Sequence, residues 1–61
     1  MLELQRKVRD LRQKKGWAQE DLARKIGVSL STVQRWEARQ VTPTRLARQA
    51  LRRLFQEANI N

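Results

Sequence analysis

The sequence of 61 residues contains neither cysteine nor histidine. These absences exclude disulfide scaffolds, Cys/His zinc sites, thiol nucleophiles and acid–base catalysis by histidine. No apolar run exceeds three residues, so we expect neither a signal peptide nor a membrane span, and we expect a cytoplasmic protein. Only two glycines and one proline interrupt regular structure. We therefore expect residues 1–61 to form a single domain, whose small size makes it marginally stable.

Positive charge dominates the polar residues. Fourteen Lys and Arg face six Asp and Glu, which gives a formal net charge of +8, and ten of the fourteen are Arg. The planar guanidinium of Arg suits phosphate and guanine, so a polyanion is the expected partner. The alternative is a solvated surface whose charge only keeps the protein in solution.

Apolar residues recur at helical spacing in four segments. They predict an all-α fold, a compact four-helix bundle with helices at about 2–15, 18–26, 29–38 and 43–58. Gly16 and Gly27 end the first two helices. Ala18 stands where a capping Ser or Thr is favoured, and Ser29 is the expected cap of the third helix.

The fourth helix has two candidate start positions. Thr42 as the cap, with Pro43 at the first helical position, fits the known preference, and Thr44 as the cap is nearly as good. The apolar stripe of this helix is wide and comprises Leu46, Ala47, Ala50, Leu51, Leu54, Phe55 and Ala58. No segment alternates as a strand would.

The second and third helices are joined by a very short link that begins at Gly27. Two helices that cross steeply need a tight turn, and glycine takes a positive φ without steric cost. Ala23, one turn earlier, lets the helices approach closely. Val33 and Trp36 then face inward, which leaves the outer side of the third helix free to enter a DNA major groove.

That outer side carries Leu30, Ser31, Gln34 and Arg35. Gln can pair with adenine, Arg with guanine, Ser with donors or acceptors, and Leu can contact a thymine methyl. We therefore expect these four residues to read DNA bases. The alternative is an ordinary solvated face, since polar residues occupy the exposed side of any helix.

The segment from Gln19 to Trp36 resembles the helix-turn-helix of phage repressors and Cro proteins, also called the xenobiotic-response-element family. The matching residues are Gln19, Leu22, Ala23, Ile26, Gly27, Val28, Val33, Trp36 and Glu37, with Pro43 where many members have a proline. The resemblance covers roughly residues 4–55 and is highly specific. It implies a bundle of four or five helices that binds operator DNA, usually as a dimer. The implied function is sequence-specific double-stranded DNA binding by a repressor-like transcription regulator, with no cofactor or metal.

The resemblance also implies roles for single residues. Gln19 should contact a phosphate from the start of the second helix, where backbone N–H groups also favour an anion. The loop after the third helix, with Arg39 and Gln40, touches the DNA backbone in relatives. The full set of expected phosphate contacts is Gln19, Ser29, Thr32, Arg39, Gln40 and Arg45, the last because it lies near the loop.

Two further expectations follow from comparison with relatives. Glu37 matches an acid that pairs with an arginine of the first helix, here Arg12, so we predict a partly buried Arg12–Glu37 salt bridge. Arg39 replaces a glycine found in many relatives. It either takes the left-handed conformation at a cost in strain or extends the third helix slightly.

The C-terminal part of the chain leaves a question open. We expect no fifth helix, and both tryptophans should lie in the core. An exposed Phe55 beside Leu51 or Ile60 would form the seam of a homodimer, whereas the alternative is that Phe55 packs on the first helix at Leu2 or Leu4. The arginines of the fourth helix are interpreted as a solvated face.

A second function stays open beside DNA binding. The chain would then be a protein-interaction adaptor or antitoxin-like factor whose basic surface docks an acidic partner. Membrane binding is disfavoured because the apolar stripes are needed to fold the domain. An enzyme is disfavoured because the sequence offers no nucleophile–base set.

Overall fold

The computed structural model describes residues 2–60, with side chains from Leu4 onward. Within that range the regular elements are four helices: α1 (Leu2–Lys15), α2 (Gln19–Ile26), α3 (Leu30–Glu37) and α4 (Arg45–Glu57). The all-α fold is confirmed, and the predicted boundaries differ by one or two residues at the caps. The two end positions of the expected domain lie outside the described residues. None of the described helices is long and apolar enough to span a membrane.

Each helix is followed by a residue with positive φ: Gly16 at 71°, Gly27 at 88°, Arg39 at 63° and Asn59 at 59°. In each case the next backbone N–H bonds back to a carbonyl of the last helical turn, as from Trp17 to Arg12 at 2.8 Å and from Ile60 to Phe55 at 2.8 Å. These are Schellman-type ends, which satisfy carbonyls that the helix leaves unpaired. Two glycines and an asparagine tolerate this conformation, whereas an arginine does not favour it.

The N-termini of α2, α3 and α4 are capped in two different ways. Ser29 caps α3 as predicted, since its hydroxyl accepts from the backbone N–H of Thr32. Thr44 caps α4 by accepting from the N–H of Ala47 at 3.2 Å, so the prediction of Thr42 as the cap is wrong. Ala18 has no side chain that could cap α2; instead its N–H donates to the Asp21 carboxylate at 2.8 Å, which makes half of a capping box.

The start of α4 shifts because Pro43 is buried rather than helical. The helix begins two residues later, at Arg45. Leu46 lies outside the buried face of α4 formed by Ala47, Leu51 and Phe55, and its side chain is 78% exposed. Its expected place in the apolar stripe is therefore wrong.

The core lies between the four helices, where α1 and α2 each pack against α3 and α4. Its buried apolar residues are Val8, Leu11, Leu22, Ala23, Val33, Trp36, Ala47, Leu51, Phe55 and Ala58. Trp36 is thus a core residue as predicted, whereas Trp17 is only partly buried and packs against the core from its edge. Two polar residues are buried as well, Gln5 and Glu37.

Of the two alternatives for Phe55, an exposed dimer seam and packing within its own chain, burial is the one that occurs. Leu51 is fully buried and Phe55 is 8% exposed, and Ile60 packs partly against the same core. The side chain of Leu4 also packs there, while that of Leu2 lies outside the described residues. Phe55 therefore belongs to the core of its own chain.

Candidate nucleic-acid interface

The turn between α2 and α3 sets the position of the third helix. Gly27 has a φ of 88°, and a Cβ added there would meet no atom within 4 Å. The need for glycine is therefore conformational rather than steric. The carbonyl of Ala23 accepts from both Gly27 and Val28, at 2.8 and 3.0 Å. Because Ala23 is also 3% exposed, the small residue sits inside the crossing, as predicted.

The two sides of α3 differ completely in exposure. Val33, Trp36 and Glu37 are buried at helical spacing. The opposite side presents the four predicted base-reading residues together, and all are exposed: Leu30, Ser31, Gln34 and Arg35. Leu30 is 39% exposed, so an apolar side chain forms part of this surface.

The hydroxyls at the start of α3 are bonded to one another. Ser29 Oγ lies 2.8 Å from Thr32 Oγ1 and 3.1 Å from Ser31 Oγ. Three hydroxyls linked by two hydrogen bonds leave one hydroxyl hydrogen for an outside acceptor. Ser29 and Ser31 are exposed, whereas Thr32 is half-buried.

The loop after α3 begins with strain. Arg39 takes the left-handed conformation, with a φ of 63°, and its N–H donates to the Trp36 carbonyl at 3.1 Å. The N–H of Gln40 donates to the Arg35 carbonyl at 2.9 Å. Of the two expectations for Arg39, the strained turn is the one that occurs, and α3 ends at Glu37. Arg39 and Gln40 are both exposed.

Glu37 joins three helices through its carboxylate. Arg12 donates to both oxygens, from Nε to Oε2 at 2.6 Å and from Nη2 to Oε1 at 2.9 Å. Gln19 Nε2 donates to Oε1 at 3.1 Å, and Arg9 Nε lies 3.8 Å from the same oxygen. The Arg12 side chain is 18% and the Glu37 side chain 5% exposed. The predicted, partly buried Arg12–Glu37 salt bridge is confirmed.

The charge state of this cluster follows from its partners. Burial would raise the pKa of Glu37, but the hydrogen bonds from Arg12 and Gln19 and the charges of Arg12 and Arg9 hold the pKa below its ordinary value. The hydrogen bond to Glu37 outweighs partial burial at Arg12 and raises the pKa of its guanidinium. The pair is therefore ionised at neutral pH.

Sequence reasoning missed two members of this cluster. It assigned Gln19 only to a phosphate and gave Arg9 no role, whereas both approach Glu37 Oε1. Neither contact has a local sequence signal, because the partners lie 18 and 28 positions away from Glu37 along the chain. Arg45, the remaining expected phosphate contact, is exposed at the first position of α4.

Comparison with known proteins identifies one family. The family described as helix-turn-helix matches residues 8–50, a range that holds α2, α3, the Glu37 cluster and the first half of α4. No curated protein and no solved structure gives a significant match. The chain therefore belongs to the helix-turn-helix family, as a domain of the Cro and repressor type, a family of DNA-binding transcription regulators.

Proposed function

We propose that residues 1–61 form one DNA-binding domain that prefers particular duplex sequences and acts as a repressor-like regulator. In this proposal α3 lies in the major groove. The supporting observation is the exposed side of α3, where Leu30, Ser31, Gln34 and Arg35 lie together on a helix whose other side is held by the core. A helix fixed in this way can present donors, acceptors and an apolar contact to base edges.

Phosphate contacts supply affinity and register in this proposal, and α3 supplies sequence preference. The candidates for phosphate are Gln19, Ser29, Thr32, Arg39, Gln40 and Arg45. They come from the start of α2, the start of α3 and the segment leading into α4. With a net charge of +8, binding should weaken steeply with salt because each neutralised phosphate releases counterions.

The decisive experiment is a selection of preferred duplexes from a random pool by the full chain. Affinity for the selected duplex and for a scrambled one is then compared at about 0.15 M salt, where exposed charges are strongly screened. Equal affinity for both would refute sequence preference. A palindromic selected duplex is the outcome expected of a homodimer, with its half-site spacing set by the distance between the two copies of α3.

Arg35→Ala tests the reading face directly. Loss of a bidentate pair with guanine should cost about 1–3 kcal/mol and relax the preference at one base pair. Repeating the selection with the variant measures that change. Gln19→Ala is the matched comparison, since it should weaken binding to all duplexes about equally. An unchanged preferred sequence for Arg35→Ala would contradict the assignment of this face.

A second candidate function has one specific observation in its favour. Leu46 is 78% exposed on α4, among the exposed arginines Arg45, Arg48, Arg52 and Arg53. An apolar side chain within a basic helix face suits an acidic amphipathic segment of another protein. A synthetic acidic amphipathic peptide tests this: binding lost in Leu46→Gln, together with equal affinity for selected and scrambled DNA, would favour the adaptor function.

A further inference from the structure

We propose that Arg9 is a further phosphate-binding side chain, which Glu37 places beside Gln19. The inference rests on the proposed DNA binding. It extends the surface that contacts the DNA backbone from α2 and the loop after α3 onto α1. Arg9 belongs to no motif in the sequence, so its placement comes from the folded cluster alone.

The geometry around a single oxygen brings the two side chains together. Glu37 Oε1 accepts from Gln19 Nε2 at 3.1 Å and lies 3.8 Å from Arg9 Nε. Arg9 comes from α1 and Gln19 is the first residue of α2. The Gln19 amide nitrogen carries two N–H groups, so one remains for a phosphate while the other is held by Glu37.

The charges in the cluster do not cancel. Arg12 already engages both Glu37 oxygens, at 2.6 and 2.9 Å, and one carboxylate neutralises one guanidinium. A separation of 3.8 Å is too long for a hydrogen bond, so Glu37 orients Arg9 without occupying its donors. The Arg9 side chain is 56% exposed, against 18% for Arg12. Arg12 therefore acts as the internal partner, and Arg9 is the accessible cation.

Through Glu37, Arg9 lies near two of the segments expected to touch the DNA backbone, the start of α2 and the C-terminal end of α3 that leads into the loop. Glu37 is the last residue of α3, and the loop with Arg39 and Gln40 follows it directly. A phosphate that accepts from Gln19 at this junction has the Arg9 guanidinium within the same cluster. The planar fork of arginine can then bind the phosphate oxygens in a bidentate manner.

Arg9→Gln tests this role, with Arg6→Gln as the matched control. Both arginines are exposed on α1, so the two variants lose the same charge from the same helix. Arg9→Gln should weaken binding to selected and scrambled duplexes alike, by about fivefold, and should reduce the slope of log affinity against log salt by about one. Arg6→Gln should change affinity by less than about twofold and leave the slope unchanged. Arg9→Lys, which keeps the charge but not the planar fork, should keep the salt slope and lose part of the affinity.

Each result decides a different point. Equal effects of Arg9→Gln and Arg6→Gln would show that Arg9 contributes only general charge, and an effect confined to the selected duplex would assign it to base reading. Either result overturns the inference while DNA binding by the wild type stands. Absence of duplex binding by the wild type itself would instead overturn the proposed function and this inference with it. Circular dichroism of each variant checks that the fold is kept.

Discussion

At the scale of the residue, Arg39 shows a conflict between the fold and the proposed function. The chain needs a left-handed residue after each described helix and uses glycine at two of these positions. After α3 it uses Arg39, with a φ of 63°, although an L side chain is strained there. Arg39 is a cation at a strained position next to the proposed recognition helix. A role in phosphate binding would explain why an arginine stands there.

Replacing Arg39 by Gly should therefore separate stability from binding. Arg39→Gly should raise the free energy of unfolding by about 0.5–1 kcal/mol. Loss of the strain stabilises the folded state, and the greater entropy of glycine in the unfolded chain offsets part of that gain. Arg39→Gly should also weaken binding to every duplex and lower the salt slope by about one. Urea unfolding and salt-dependent titration measure the two effects. Arg39→Asn is the control, because asparagine tolerates this conformation and lacks the charge. If Arg39→Gly were less stable than the wild type, the turn would not be strained.

Gln5 presents the opposite case, a polar residue with no visible function inside the core. It is 7% exposed, and its Oε1 has no hydrogen-bond partner in the part of the chain that the structure describes. A buried acceptor without a partner costs free energy. Gln5→Leu should therefore stabilise the protein by about 1 kcal/mol in thermal or urea unfolding. Gln13→Leu, on the exposed side of α1, should give no comparable gain; destabilisation by Gln5→Leu would mean that the amide has a stabilising contact.

At the scale of the element, the sequence predicts the features of each helix that depend on residues close together in the chain. Helical spacing, Gly16 and Gly27 locate α1, α2 and the turn, and the spacing of Val33 and Trp36 predicts which side of α3 is buried. Thr42 and Thr44 could not be separated, because both precede the helix and only the burial of Pro43 decides between them. The exposure of Leu46 could not be predicted either, because the wide apolar stripe of α4 does not show which edge of the stripe faces the core.

Contacts between residues on different helices could not be predicted from the local pattern of the sequence. The Arg12–Glu37 pair was predicted from resemblance to relatives and not from spacing, since 25 residues separate the partners. The contacts of Gln19 and Arg9 with Glu37 and the burial of Gln5 had no signal in the sequence, because each depends on the packing of distant segments. The location of Phe55 could not be predicted either, because its place in the apolar stripe suits both the core and a dimer seam. In the folded chain Phe55 packs in the core.

At the scale of the whole molecule, Glu37 ties α1, α2 and α3 together in a domain with a small core. Because the folded state holds the Glu37 pKa below its ordinary value of 4.5, folding favours the ionised form. The stability that this provides is fully present above the unfolded value and is lost as the pH falls through the folded value. The free energy of unfolding should therefore decline below about pH 4.5, because the unfolded chain takes up a proton there while the folded carboxylate, held by Arg12 and Gln19, stays ionised.

Glu37→Gln should remove this part of the pH dependence. At pH 7 the variant should be less stable by about 1.5–3 kcal/mol, because it loses charged hydrogen bonds from Arg12, and its stability should fall less steeply than that of the wild type between about pH 5 and pH 3. Urea unfolding across this range measures both quantities. Glu20→Gln, which removes an equal charge at an exposed position, should keep the wild-type slope. Parallel curves for Glu37→Gln and the wild type would show that the acid sensitivity of the fold originates outside the junction of these three helices.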